Sequence, residues 1–383
     1  MDNEIKTLEQ RKAERQKALR FQRNVRIAAI LLAIVLSIVS LFQSCATRKA
    51  IDELAAQIAA KKAAEAQTET IASPSPSVPA ASYSADSITL SFVGDLELAS
   101  PYGTGIGNFE TNYNTYGEGY FFQNIRSTLQ SDDLTVGVLR TSFTTANQAS
   151  GAEIAYRADP SYTGILKDSG IDAVAVSGEY VMDFGEEGYV DTLANLDNAD
   201  IARFGGDYIT TLDVSGVTVG LTAVNAFNDD VSSRLQQNIG KLKEQGAALI
   251  VAEIYVGDYY DGDALALATA DMGAHVVLLH GATTFDGIEE YNNSYICYNL
   301  GSFLSGGDTS TKDAIIFQLT YDLSSGTIGE EVEWNVIPVT CSSDPYAVTY
   351  CPTIATEADA ERIMYLTYTN SSKYEGGITE PRH

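Results

Sequence analysis

A layered α/β domain carried behind a single membrane-spanning segment is the architecture this chain predicts, and three observations predict it. Short apolar runs alternate with helical patterns from residue 87 onward. Residues 27–42 are almost wholly aliphatic. Charge is divided unevenly: residues 1–62 hold 12 Lys and Arg against 6 Asp and Glu, and the rest of the 383-residue chain holds 12 against 45.

The N-terminal segments come first. Eight basic side chains lie between Lys6 and Arg26. With residues 43–46, the apolar run reaches roughly the 20 residues that cross a bilayer. The basic flank places residues 1–26 in the cytoplasm. A cleaved signal peptide is the other reading, but the basic stretch is long and no clean small-x-small site follows, so residues 27–46 are expected to be an uncleaved signal anchor. Cys45 sits at its outer edge, where it could cross-link a dimer or carry lipid. Ile51, Leu54 and Ile58 recur at helical spacing and predict a stalk helix, through which a homodimer could form. Residues from 66 to 85, including Ser73-Pro74-Ser75-Pro76-Ser77, read as a linker, so 47–86 is stalk and linker.

The body, 87–383, is then extracytoplasmic. Strands are predicted at 87–95, 133–139, 172–177, 217–224, 248–255, 275–280, 295–299, 314–321 and 332–339. Helices are predicted at 119–131, 160–169, 185–198, 231–245, 262–272 and 356–366. Residues 102–120 are rich in Gly, Asn and Tyr and read as a surface loop. So acidic a body repels phosphate backbones and excludes nucleic-acid binding. Cys341 and Cys351, ten apart in a turn-rich stretch, suit a local disulfide in an oxidising compartment. Cys297 reads as a buried thiol.

Several stretches carry chemistry. Phe92-Val93-Gly94-Asp95 is a strand ending on a carboxylate, the way such strands present an acid to a hard cation. Glu97 follows on the same face. Asp133 to Thr141 is a second strand, with Val138 and Arg140 at its end. Gly178-Glu179-Tyr180 is followed by Asp183-Phe184-Gly185 and a helix containing Thr192-Leu193. Ile250 to Tyr259 contains Ile254, Asp258 and Tyr259, and Gly273 to Thr284 contains His275, His280, Gly281 and Thr283. Gly287-Ile288-Glu289 and Tyr295 to Phe303 close the series.

In order and spacing, from about residue 88 to 303, these stretches resemble the CapA-like family of poly-gamma-glutamate capsule biosynthesis proteins, which is similar to the calcineurin-like metallophosphoesterases. The resemblance implies an α/β/β/α metallophosphoesterase-like sandwich with a two-metal cleft. It also shows that cleft stripped. Where the family has Asn-Leu-Glu, Val138 and Arg140 stand. Gly178-Glu179-Tyr180 replaces Asn-Asn-His, Ile254 replaces a His, and Gly281 and Thr283 replace the ligand histidines of the Gly-His-His-Pro-His turn.

The candidate cleft is therefore Asp95, Glu97, Arg140, Glu179, Tyr180, Asp183, Asp258, Tyr259 and His280, with no catalytic residue and no bound cofactor expected. Arg140 is expected to pair with Asp95 across the vacated site, since a guanidinium repels a cation. Asp183 is expected to cap the helix after it. His275 and His280, five apart on one strand, point to opposite faces and cannot chelate together. The expected role is a membrane-anchored, non-catalytic component of capsule or envelope-polymer assembly that binds a polymer or synthesis proteins. Two alternatives stay open. One is a carboxylate-based Mg²⁺- or Ca²⁺-dependent hydrolase or transferase, with Asp95 and Glu179 as weak metal ligands. The other is a surface polysaccharide-binding module, for which the 22 tyrosines offer stacking faces.

Overall fold

The run from Ser87 to Leu96 is buried almost throughout because it lies in the middle of a sheet, with a second sheet against one face and helices against the other. This is seen in a computed structural model that describes residues 83–379, apart from 106, 152–153, 228–229, 258–261, 307–311, 327, 329–331 and 345. The expected tail, anchor, stalk and most of the linker lie outside the described residues, as do Asp258 and Tyr259. Among the described residues no helix is long and apolar enough to cross a membrane.

In chain order the elements are β1 (Ser87–Leu96), α1 (Phe109–Tyr116), α2 (Arg126–Leu129), β2 (Leu134–Leu139), β3 (Ser142–Phe143), β4 (Arg157–Ala158), α3 (Thr163–Ser169), β5 (Ala173–Ala175) and α4 (Gly185–Asn198). There follow β6 (Ala202–Phe204), β7 (Thr210–Val214), β8 (Val217–Asn225), α5 (Val231–Glu244), β9 (Leu249–Tyr255), α6 (Asp263–Asp271) and β10 (Val276–His280). The last are β11 (Ile288–Tyr291), β12 (Ser294–Cys297), β13 (Ser302–Leu304), β14 (Asp313–Asp322), β15 (Val332–Thr340), β16 (Thr353–Ile354) and α7 (Glu357–Ser371).

One sheet runs β16-β15-β14-β1-β2-β5-β6, with β13 also paired to β1. The other runs β11-β12-β10-β9-β8-β7. In the first, β1-β2-β5-β6 is parallel and β14, β15 and β16 extend it antiparallel from β1; in the second, parallel β12-β10-β9-β8 is flanked by antiparallel β11 and β7. Strand periodicity explains the layering. Ile88, Leu90 and Phe92 point to one face and join Val219, Leu221, Val251 and Leu278 of the other sheet in a central core. Val93 and Leu96 point the other way, onto Phe109, Ile165 and Leu193 of α1, α3 and α4. Ile250, Ile254 and Val277 likewise pack beneath Leu235, Ile239 and Ala266 of α5 and α6. The order is helix, sheet, sheet, helix.

All nine predicted strands are present, but two helical and loop expectations need correction. The expected surface loop 102–120 contains α1, because Phe109 stacks on Phe121 at 4.4 Å and meets Tyr350 edge-on at 5.1 Å. The expected helix 119–131 shrinks to a turn at Glu118–Tyr120 and the single turn α2. Phe121, Phe122, Ile125 and Leu129 are all buried, so tertiary packing overrides the local helical pattern. The expected disulfide is also absent. Cys341 and Cys351 are free and buried. The Cys341 thiol donates to the Ser302 carbonyl beside β13, whereas Cys351 faces Tyr120, Gln123 and Asn124. The two thiols are thus turned into different environments, and burial pushes both up in pKa, Cys341 to about 12.

Gly94, which precedes the key aspartate, has a steric reason to be glycine. A Cβ there would overlap the Gly301 carbonyl oxygen, the same oxygen that accepts from the Asp95 amide at 3.4 Å. Substitution Gly94→Ala is expected to force β1 and β13 apart and to lower stability by about 1–3 kcal/mol or more. Gly240, inside α5, is its opposite, since a Cβ added there would meet nothing within 4 Å. Gly240→Ala should raise stability by about 0.4–1 kcal/mol. Urea unfolding of both variants checks the pair.

Candidate functional site

The carboxyl ends of the parallel strands bring the candidate residues together, the usual place for a site in such sheets. Asp95, next to last in β1, pairs in register with Val138 of β2, so the residue just past β2, Arg140, reaches back across it. Its amide donates to the Leu96 carbonyl at 2.9 Å, which fixes where the side chain starts. Arg140 Nη1 donates to Asp95 Oδ2 at 2.7 Å and lies 3.6 Å from Glu97 Oε1. Nη2 donates to Glu179 Oε2 at 2.6 Å. The Tyr180 ring covers the guanidinium at 5.0 Å. Arg140, Asp95 and Glu97 are buried; Glu179 stands at the mouth with its side chain 43% exposed.

Tyr180 holds its place through an unusual backbone. Its φ of 66° lies in the left-handed region, a conformation that costs a non-glycine residue energy and needs surrounding support. The Ser142 hydroxyl supplies some of it, lying 2.9 Å from the carbonyls of both Tyr180 and Val181. Tyr156 packs against Tyr180 at 4.6 Å and extends the aromatic rim.

From the facing sheet come His280 at the end of β10 and Glu253 in the middle of β9, both buried. His280 Nδ1 is 3.6 Å from Asp95 Oδ1. Among the described residues Asp95 Oδ1, both Glu253 oxygens and both His280 ring nitrogens lack a hydrogen-bond partner. Glu253 is not among the residues that the sequence marks for the cleft. The available signal is a lone acid inside the apolar run Leu249 to Tyr255, where burial on both faces is the rule for a central parallel strand.

The charges follow from this geometry. Burial acts to raise the Asp95 pKa, but Arg140 and then His280 outweigh it and hold the carboxyl below its ordinary value. For Glu97, burial wins over Arg140 and Ser305, and its pKa is raised. Burial acts against a charged Arg140, but Asp95 and Glu97 raise its pKa and keep it protonated. Burial, reinforced by Asp95, raises the Glu253 pKa well above its ordinary value and favours the protonated acid.

The resemblance implied a metal pair, and these residues do not fit one. A permanent cation already stands among Asp95, Glu97 and Glu179. The vacated ligand positions are also closed sterically. A Cβ on Gly178 would meet the Leu139 carbonyl oxygen at 2.5 Å and Arg140 Cγ at 3.4 Å. One on Gly281, at φ +112°, would lie 2.6 Å from both the Gly257 amide and the Tyr255 ring. Among the described residues no group of three or more His, Cys, Asp or Glu is arranged to hold a metal ion.

The remaining candidates lie as follows. Asp183 does not cap the helix after it, as α4 has no side-chain cap. Its Oδ2 instead accepts from the Tyr156 amide at 2.9 Å. Burial, partly offset by that amide, brings its pKa to about 6. His275 faces away from His280, and its Nδ1 accepts from the Ile250 amide at 3.1 Å.

Two outcomes test this electrostatic picture. Replacing Arg140 with Met leaves buried carboxylate charge without its partner and should cost about 3–5 kcal/mol. Adding Asp95→Asn to that variant should recover much of the loss, as coupled neighbours do in a double-mutant cycle followed by denaturant unfolding. Glu253 gives a pH test. A raised folded-state pKa means that the native state holds a proton the unfolded chain releases above its ordinary value of 4.5. Its presence therefore lowers stability as pH rises from there toward the folded pKa, by up to about 1.4 kcal/mol per pH unit. Thermal melts of Glu253→Gln should gain on the wild type steadily between pH 5 and 8; parallel curves would show that Glu253 is ionised.

Comparison with known proteins bears on what this site belongs to. Residues 89–307 match the family model described as bacterial capsule synthesis protein PGA_cap. The PGA biosynthesis protein CapA of Bacillus subtilis (strain 168) is 24% identical over 267 residues, covering 62% of this chain and 68% of that protein. The capsule biosynthesis protein CapA of Bacillus anthracis is 24% identical over 268 residues, covering 61% and 64%. The chain thus spans about two thirds of the length of these relatives. Among solved structures, a hypothetical protein from Thermus thermophilus aligns at a TM-score of 0.43 and 16% identity, over 66% of this chain and 99% of that one. Chaetomium thermophilum Vps29 aligns at 0.25 and 10%, over 66% and 97%. The family match takes in more than half of the sequence and contains Asp95, Arg140, Glu179, Glu253 and His280, so this chain belongs to the bacterial capsule synthesis protein PGA_cap family.

Proposed function

We propose that this protein is a membrane-anchored, extracytoplasmic component of capsule or envelope-polymer synthesis, of the poly-gamma-glutamate type, that binds polymer or synthesis proteins and does not hydrolyse a phosphoester. The observation that carries this reading is the Arg140 guanidinium shared by Asp95, Glu97 and Glu179. A two-metal hydrolase needs those carboxylates free to hold cations and activate water. Here their charge is spent on a fixed cation, and the backbone has closed over Gly178 and Gly281. What remains is a rigid floor with an accessible rim of Glu179, Tyr180 and Tyr156, chemistry suited to recognition. The capsule pathway is supported by the family and by the names of the two Bacillus relatives. The anchor is supported by the apolar run at 27–46 behind a basic flank.

Elemental analysis of the purified, dialysed protein should find well under one Zn, Mn or Fe per chain. Stoichiometric metal, or phosphodiesterase activity that Mg²⁺ or Ca²⁺ restores after chelation, would instead favour the carboxylate-based hydrolase. For topology, protease added to intact spheroplasts should digest residues 87–383 and spare the N-terminal tail. A protected body would overturn the extracytoplasmic assignment.

A further inference from the structure

Beside the Arg140 cluster, but separate from it, lies a cavity of about 730 Å³ whose lining includes Tyr102, Glu110, Thr111, Asn147, Arg157 and Asp159. That volume falls within the range of small-molecule sites. Among the described residues Arg157 is the only Lys or Arg on its wall. All three of its hydrogen bonds leave from Nη1 and end on uncharged acceptors: the Ala146 carbonyl and Asn147 Oδ1 at 2.7 Å each, and the Thr145 carbonyl at 3.5 Å. The guanidinium lies over the Tyr102 ring at 4.3 Å and near Phe184 at 5.9 Å. It is therefore held in one orientation, while Nε and Nη2 have no hydrogen-bond partner among the described residues. Where residues 63–383 hold 45 acidic side chains against 12 basic ones, an oriented arginine that makes no salt bridge among the described residues stands out. A planar fork presented in this way matches a carboxylate.

The same wall carries two acids. Glu110 Oε1 accepts from the Ser100 amide at 3.1 Å. Asp159 Oδ1 accepts from the Ser161 amide and hydroxyl at 2.9 and 2.7 Å, and these bonds hold its pKa below the ordinary value. In each case the second carboxylate oxygen has no hydrogen-bond partner among the described residues. One cation and two anions disfavour a phosphate or polyanion, which would face like charge, and equally a simple cation, which would face Arg157. Gly103 and Gly105 leave the rim bare, since a Cβ on either would meet nothing within 4 Å.

We infer that this cavity binds a zwitterion of the amino-acid or short-peptide class, with its carboxylate on Arg157 and its ammonium on Glu110 and Asp159. The cavity lining shares no residue with the Arg140 cluster, so metal content and topology do not bear on it.

Calorimetric titration of the full-length protein with L-alanine and with trialanine tests the inference and separates a free amino acid from a peptide. Saturable binding of at least one is expected. N-acetylation or C-terminal amidation of that ligand should each weaken it roughly ten- to a hundredfold, the worth of a charge-assisted contact. Arg157→Met should weaken it to a similar extent. Glu110→Gln keeps an acceptor for the Ser100 amide, and it should shrink the difference between the free and acetylated ligand. If circular dichroism shows that Arg157→Met fails to fold, Glu110→Gln decides. Three results would overturn the proposal: no binding of either ligand tighter than about 10 mM, equal binding of blocked and free forms, or wild-type affinity in the folded variants.

Discussion

A buried guanidinium held by three carboxylates is the interaction on which the rest of this site depends. Arg140 links the end of β1, through Asp95 and Glu97, to the loop after β5, through Glu179. Taking ions out of water is costly, and such a cluster persists only when hydrogen bonds compensate each charge. Two of the contacts are direct hydrogen bonds, at 2.7 and 2.6 Å, and the Tyr180 ring shields the cation from solvent. The neighbouring glycines belong to the same solution. Gly178 lets the chain press against the Leu139 carbonyl and the Arg140 stem, and Gly94 admits the Gly301 carbonyl beside Asp95.

The opposite side of Asp95 follows a different rule. Glu253 and His280 come from the second sheet and face the same interior, without hydrogen-bond partners among the described residues. An ionised carboxylate there would sit near Asp95 in a medium of low polarity, which raises the Glu253 pKa and favours its protonated form. Asp95 thus has two unlike neighbours, a full cation on Oδ2 and a histidine ring beyond hydrogen-bond distance of Oδ1. Stabilisation is concentrated on the Arg140 side, which makes β1 and β2, rather than the junction between the sheets, the firm part of the cleft.

The segment Tyr156–Arg157 connects the two candidate regions. Tyr156 leans on Tyr180 above Arg140, while the next side chain, pointing the other way as strand geometry requires, enters the adjacent cavity. The Asp183 carboxylate fixes the Tyr156 amide, and Phe184 meets Tyr102 edge-on at 5.2 Å. Both regions are therefore framed by the same loop after β5 and are shaped together.

Much of this was legible in the amino-acid order. Alternating apolar runs located the nine principal strands, because a buried central strand is written in its own residues. The loss of ligand types was equally plain, since Gly178, Ile254 and Gly281 have no donor atom wherever they lie, and an arginine at position 140 pointed to Asp95. Other features depended on distant partners. Whether 102–120 was a loop or a helix turned on Phe121 and Tyr350 packing over Phe109. Whether Cys341 and Cys351 could bond turned on which way each thiol faced. Glu253 became part of the site only because β9 and β1 lie in facing sheets, and the open fork of Arg157 became visible only once Tyr102 and the 145–147 acceptors had fixed it. Residue chemistry and local periodicity are properties of the chain and can be read from it. Burial, orientation and long-range pairing arise when segments far apart in sequence come into contact, and the tertiary structure alone decides them.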